Sequence, residues 1–282
     1  MADRLVIDLR PLGIPEVPML GRYDYREAQR GLDLHAHRDV LEICYLAKGR
    51  QLYRVGRRDF VLRGGDVFVA FPGEVHSTGE APQEKGQLYW LQVLLPSGSA
   101  RFLNCPARDS RTLIQQLLGL PHRHFAGEPA LARVLDEIFA AHRRASDPLQ
   151  RTTIQNRLVD FLLRVIACAR QSPRASVSPP ISSLLRYIKA NAHQALPLAA
   201  LAARLGLSLP RFKARFKQEV GIPPAEYVLR CKIEAAKKRL AQPNANVTTV
   251  AFDLGFSSSQ YFATVFKRYT GRRPRDIQAE LC

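Results

Sequence analysis

The sequence predicts an α+β chain: an N-terminal antiparallel β-barrel, then helices, then an all-α domain containing two helix-turn-helix units. Three observations carry this. Between about residues 32 and 95, short apolar or alternating runs are punctuated by Gly and Pro; from about residue 109 the apolar spacing turns helical; and the last third contains an internal repeat. At 282 residues the chain is long enough for more than one core. We divide it into a barrel (1–108), a helical dimerisation segment (109–170), a linker (171–180) and a double helix-turn-helix domain (181–282).

The runs LEICYLAKG, RQLYRVG, DFVLRGG, DVFVAFPG and QLYWLQVLL have the length of strands, and their spacing fits an antiparallel barrel. After them, Leu131, Leu135, Ile138 and Phe139, then Leu158, Phe161, Leu162, Val165 and Ile166, fall at helical spacing. Two amphipathic helices are expected there. QSPRASVSPP has no apolar period and reads as a linker.

The repeat is LAARLGLSLPRFKARFKQEVGIPP against VAFDLGFSSSQYFATVFKRYTGRRP. Ser208/Ser258, Phe212/Phe262, Phe216/Phe266, Lys217/Lys267, Gly221/Gly271 and Pro224/Pro274 match at an offset of 50, and Gly206/Gly255 at 49. In each unit a short helix containing Ala202 or Ala251 stops at a glycine able to take the left-handed backbone. Ser208 or Ser258 is then expected to cap a second helix. The Phe pairs, four residues apart, share one face and point to the core. The opposite face is left outward: Pro210, Arg211, Lys213, Ala214 and Lys217 in the first unit, Ser259, Gln260, Ala263, Thr264 and Lys267 in the second.

Charge gives that face a partner. Residues 182–282 hold 17 Lys and Arg against 6 Asp and Glu, within a whole-chain net charge of +17. A basic excess concentrated in one domain suits a polyanion. Arg and Lys can donate to guanine, Gln can pair with adenine, and Ala or Thr can touch a thymine methyl. Lys217 and Lys267 lie further along, where phosphate contact is expected. A helix over about 224–241 joins the units, so that two recognition helices about 34 Å apart would enter successive major grooves of double-stranded DNA.

The segment from about residue 181 to 277 closely resembles the DNA-binding domain of AraC/XylS-family transcription regulators, above all in VAFDLGFSSSQYFATVFKRYTGRRP. The resemblance implies seven helices, the third and sixth entering adjacent major grooves. Its base-facing positions would be Pro210, Lys213 and Ala214, then Ser259, Gln260, Ala263 and Thr264. Pro210 and Ala214 have no side-chain donor, so Arg211 and Lys213 are expected to carry the first unit's direct readout.

The barrel segment looks like the cupin domain that commonly precedes this DNA-binding domain. His35, His37 and Glu42 form HxH-x4-E, and GGDVFVAFPGEVH brings His76. Alternation puts His35 and His37 on one face of a strand, with His76 on a partner strand opposite. Two readings stay open. The four residues suit a divalent transition metal with open coordination positions, as in metal-dependent cupin enzymes. Without metal they line a polar pocket for a small organic effector such as a sugar, with Trp90 or Tyr89 as a stacking surface or a core residue. Phe71 replaces the first Pro of the usual PxG, and no Asn follows His76 at the enzyme-motif spacing. Catalysis is not expected and no cofactor is required. His122 and His124 are read as exposed loop residues.

Five cysteines without a CxxC pair suggest reduced packing residues rather than a disulfide framework or zinc ribbon. No apolar run reaches the length of a membrane span. The expectation is a cytoplasmic, homodimeric, effector-responsive regulator of promoter DNA. By family resemblance it would be an activator engaging RNA polymerase, with repression the alternative.

Overall fold

A computed structural model describes residues 3–96, 101–171, 177–243 and 245–279. Half of the expected linker, residues 172–176, and Cys282 lie outside them. The chain divides into two compact units: Met1–Asp24, Gly31–Ala81 and Gly86–Arg174 form the first, and Tyr25–Arg30, Pro82–Lys85 and Ala175–Cys282 the second.

The first unit is built on antiparallel strands β1 (Asp3–Asp8), β2 (Met19–Tyr25), β3 (Val40–Val55), β4 (Arg58–Arg63), β5 (Asp66–Ala70), β6 (His76–Ser77), β7 (Gly86–Leu94) and β8 (His124–Ala126). Their order is β1-β2-β7-β3-β5-β8, with β4 and β6 paired to β3. LEICYLAKG and RQLYRVG are therefore one 16-residue strand rather than two. Its first half pairs with β5 and β7 and its second half with β4 and β6. The register slips between Leu46 and Lys48, and Gly49 takes φ 102°, so the strand bends from one sheet into the other.

Alternation along β3 divides the interior in two. Leu41, Ile43 and Tyr45 face a core shared with Leu91, Val93 and the helices, whereas Cys44 and Leu46 face the barrel lumen with Phe68 and Tyr53. Three helices, α1 (Ala107–Leu118), α2 (Pro129–His142) and α3 (Gln150–Arg170), pack on the outer face; α1 adds one to the two expected. Leu131, Leu135, Ile138, Phe139, Leu158, Phe161, Leu162, Val165 and Ile166 are all buried in this common core. The apolar stripe that marked these helices is thus spent inside its own unit. A dimer contact would need their other sides, where Leu163 is exposed.

Among the described residues the second unit has seven helices: α4 (Pro179–Ala190), α5 (Leu198–Ala203), α6 (Leu209–Val220), α7 (Pro224–Leu240), α8 (Val247–Asp253), α9 (Ser259–Thr270) and α10 (Pro274–Ala279). They form two small cores. Phe212 and Phe216 fill one, Phe262 and Phe266 the other, and all four are fully buried. Truncating such a Phe to Ala costs about 3–5 kcal/mol. Helix α7 belongs to both cores: Val228 packs in the first, Ile233, Ala236 and Leu240 in the second. One helix about 25 Å long thus holds the repeats together. None of the described helices is long and apolar enough to cross a membrane.

Candidate functional site

In each repeat the turn forms at the expected glycine. Gly206 and Gly255 have φ of 64° and 70°, a backbone that lets α5 and α8 stop sharply before the next helix. Gly221 and Gly271 end α6 and α9 in the same left-handed region. The caps differ. Ser258 accepts from the Tyr261 N–H at 3.1 Å, whereas Ser208 makes no side-chain cap bond, contrary to expectation. Arg211, the counterpart of Tyr261, has an N–H, but Ser208 sits at φ −65° rather than the −158° of Ser258, and its side chain makes no bond to it.

The faces opposite the Phe pairs are open to solvent. On α6, Pro210, Arg211, Lys213, Ala214 and Lys217 are all exposed; on α9, Gln260, Thr264 and Lys267 are exposed and Ser259 and Ala263 half-buried. Arg211, Lys213 and Lys217 have no carboxylate partner among the described residues. Lys267 Nζ lies 3.9 Å from Glu27 Oε2. The Thr264 hydroxyl donates to the Gln260 carbonyl at 3.0 Å, leaving its methyl and an acceptor lone pair outward. Gln218, Tyr261 and Arg268 are also exposed on these faces, and sequence reading missed them. The helical angle was the available signal: Gln218 and Arg268, at equivalent positions, lie almost opposite the buried Phe pairs.

The lumen of the barrel holds a second constellation. Backbone bonds His35 N–H to His76 O (3.1 Å) and His76 N–H to His35 O (2.9 Å) place these histidines opposite each other. His35 and His37 do not lie in a regular strand, as alternation suggested, but in an extended approach to β3 with this single bridge. The expected convergence still occurs. Glu42 Oε2 is 4.0 Å from His35 Nε2, 3.4 Å from His37 Nε2 and 3.7 Å from His76 Nε2.

Burial raises the Glu42 pKa, but the imidazoles of His35 and His76 outweigh it and bring the carboxyl to about 2. The same carboxylate raises the pKa of His35. His76 is 2% exposed and its Nε2 has no hydrogen-bond partner. The Gln92 amide N–H donates to His37 Nε2 at 3.3 Å.

Trp90 pairs in register with Cys44, and so shares the lumen face with Glu42. It is half-buried, edge-on to Tyr23, and its Nε1 has no partner among the described residues. Tyr89 points the other way: it is 1% exposed in the helix-facing core, with its hydroxyl donating to Asp136 Oδ1 at 2.9 Å. Adjacent strand residues cannot both face the lumen, which removes Tyr89 as a stacking surface. Cys44, Tyr53 and Gln92 are lumen residues that the sequence reading left out. The Tyr53 hydroxyl donates to Cys44 Sγ (3.4 Å), and the Cys44 thiol to Glu42 Oε1 (3.6 Å). Burial pushes the Cys44 thiol well up, so it acts as a packing group.

His124 is not a loop residue. It opens β8, and its Nε2 is 3.0 Å from the buried carboxylate of Asp66. Cys44, Cys105, Cys168 and Cys231 are free thiols.

Comparison with known proteins fits this anatomy. The family described as AraC-like ligand binding domain matches residues 18–159, and a helix-turn-helix domain family matches residues 201–280. Among curated proteins, the HTH-type transcriptional activator RhaS of Escherichia fergusonii is 24% identical over 246 residues, covering 86% of each chain. The arabinose operon regulatory protein of Escherichia coli K12 is 25% identical over 234 residues, covering 82% of this chain and 78% of that one. Among solved structures, the AdpA DNA-binding domain in complex with a target DNA is 25% identical, covers 36% of this chain and 93% of that one, and has a TM-score of 0.35. ToxT of Vibrio cholerae is 12% identical over 93% of this chain and 99% of that one, also at a TM-score of 0.35. The chain belongs to the AraC family of transcription regulators, with an AraC-like ligand-binding domain in its first half and a helix-turn-helix DNA-binding domain in its last third.

Proposed function

We propose that the protein is an effector-responsive activator that reads promoter DNA through α6 and α9 and senses a small polar molecule in the barrel lumen. The observation that carries the DNA reading is the matched exposure of two recognition helices on one connecting helix. Each buries its Phe pair completely and turns basic and polar side chains outward. Offset by 50 residues, Pro210 stands where Gln260 does, Arg211 where Tyr261 does and Ala214 where Thr264 does. The two half-sites must therefore be read by different chemistry: guanidinium and ammonium donors in the first, an amide and a methyl in the second.

Activation is supported by the name of the relative RhaS, described as a transcriptional activator. The relative described as an arabinose operon regulator supports a polyhydroxylated effector such as a sugar. In the lumen, the His35, His37, Glu42, His76 and Trp90 side chains would offer such a molecule donors, acceptors and a ring edge. A homodimer on DNA, with recruitment of RNA polymerase, completes the reading.

Genome-wide mapping of bound sites tests it, followed by competition between a recovered promoter site and random duplex at fixed salt. Preference for the promoter by about 1,000-fold or more is expected. Equal affinity would reduce the protein to a non-specific DNA binder. For the effector, Trp90 is the sole tryptophan of the chain, so its fluorescence reports the lumen directly. Sugars indicated by the neighbouring genes should shift it.

A further inference from the structure

The second unit is not built from the last third of the chain alone. Tyr25–Arg30 and Pro82–Lys85, from the first third, belong to it. We infer that Ala28, Glu84 and Lys85 in these segments position recognition helix α9 on α7, so that base readout by the second repeat depends on residues outside both helix-turn-helix units. The inference rests on the DNA reading proposed above and adds to it the parts that fix one of its two reading helices.

The segments first hold each other. Gln29 and Gln83 exchange backbone bonds of 2.8 and 3.1 Å, the Gln83 amide donates to the Arg30 carbonyl at 3.1 Å, and the Tyr25 hydroxyl donates to Gln83 Oε1 at 3.4 Å. Ala28, between them and α9, is buried.

They then meet the C-terminal end of α9. The last carbonyls of a helix have no partner within it. The Ala28 N–H donates to the Arg268 carbonyl at 2.8 Å and so satisfies one of them. The backbones approach closely here: a Cβ on Gly271, which ends α9 at φ 74°, would lie 3.0 Å from the Ala28 carbonyl oxygen. Lys267 Nζ, 3.9 Å from Glu27 Oε2, adds a contact that is half exposed and readily screened.

The stronger link runs through side chains. Glu84 pairs with Arg230 of α7, Arg230 with Glu226 one turn earlier at 2.9 Å, and Glu226 with Lys85 at 3.0 Å. Charges alternate along this network, and all four side chains are largely buried. The Lys85 ammonium and the Arg230 guanidinium both lie over the Tyr269 ring of α9, at 5.2 and 5.1 Å from its centroid. Tyr269 is thus gripped by one cation from α7 and one from the segment before β7. Shifting any member of such a network leaves a buried charge uncompensated, which holds the arrangement in place. Gln260 and Thr264 stay exposed, so the grip fixes α9 without covering the face that reads bases.

The test uses full-length protein and the promoter duplex recovered by genome-wide mapping, with single base-pair changes across it. Glu84→Gln/Lys85→Gln leaves the net charge unchanged and lies outside both repeats in sequence. Amides at the end of α9 should exchange at least about 10-fold faster, while those of α6 keep their rates. Discrimination between the promoter duplex and its changed versions should fall about 10-fold, with affinity for random duplex within about twofold of wild type. A merely structural loss would lower both affinities together, and that result would overturn the positioning role. Unchanged exchange in α9, or faster exchange with discrimination intact, would overturn it as well. If the double variant does not fold, Lys85→Gln, at the most exposed member of the network, decides on the same readouts. Gln260→Ala on the same duplexes separates the two claims. If it leaves base preference unchanged, the proposed reading by α9 fails, and exchange alone then decides whether the segments hold the helix.

Discussion

Lys232→Met should loosen the second helix-turn-helix and spare the first. Lys232 is buried on α7, yet its ammonium donates to the Leu254 carbonyl at 2.6 Å, where α8 ends, and sits 5.6 Å from the Phe256 ring. A hydrogen bond from a charged donor contributes about 1.5–3 kcal/mol, and the cation over the ring adds about 0.5–1 kcal/mol. Opposing this is the desolvation of the ammonium, which lowers the Lys232 pKa and which Met would avoid. Met also keeps most of the apolar stem. The net loss works out at about 2 kcal/mol, with the Leu254 carbonyl left without its donor. Because the chain has two units, a single unfolding midpoint would not isolate this. Hydrogen exchange would: amides of α8 and α9 should exchange about 30-fold faster, while those of α5 and α6 keep their rates. Unchanged exchange in α8 and α9, or equal acceleration in both repeats, would refute the idea that this lysine pins the second turn.

Three further outcomes follow from the same contacts. Ser258→Ala should destabilise the second repeat by about 1 kcal/mol, whereas Ser208→Ala should be nearly neutral, as measured by local hydrogen exchange, because only Ser258 makes a cap bond. Lys213→Ala and Gln260→Ala should each relax base preference at one position by about 1–3 kcal/mol, while Lys217→Ala should weaken all sequences alike and lower the salt slope by about one; equal losses on all sequences for the first two would misplace the groove faces. Burial opposes ionisation of Glu219, but Ser178 donates to it from N–H and Oγ, and Arg215 pairs with it, so its pKa is lowered. Its stabilisation is complete above the ordinary glutamate range and fades as pH falls through the lowered value, so Glu219→Gln should flatten the acid limb of the pH–stability curve for α4 and α6.

What the sequence revealed depended on how local the cause was. Gly206 and Gly255 break helices by their own backbone freedom, and Phe212/Phe216 and Phe262/Phe266 mark a face by spacing alone. These features could be read without knowing any partner. His124 could not: its meaning comes from Asp66, 58 residues away and on the neighbouring strand. Strands β1 and β2 escaped for a similar reason, since they are defined by pairing with each other and lie before the clear alternating runs. Tyr89 and Trp90 show the limit of composition. Both are aromatic and adjacent, and only the register with Tyr45 and Cys44 decides which one sees the lumen. The apolar stripe of α2 and α3 was visible, but not that the outer face of the sheet would consume it.

The two repeats share a fold and divide their chemistry, and the division extends below the DNA-facing surface. The first unit lacks a side-chain cap bond at Ser208, and the readout proposed for it rests on Arg211 and Lys213, long cations that reach without fine placement. The second keeps its Ser258 cap and adds the Lys232 clamp at the preceding turn, both of which fix where α9 begins. Gln260 and Thr264 are short, and a bidentate amide contact tolerates little displacement of its helix. Under the proposed readout, rigidity lies in the repeat that requires it. On that reasoning, Lys232→Met should blur sequence preference at the Gln260 half-site before it lowers affinity for non-specific DNA, since the phosphate contacts proposed for Lys217 and Lys267 would survive small shifts that a bidentate base contact does not.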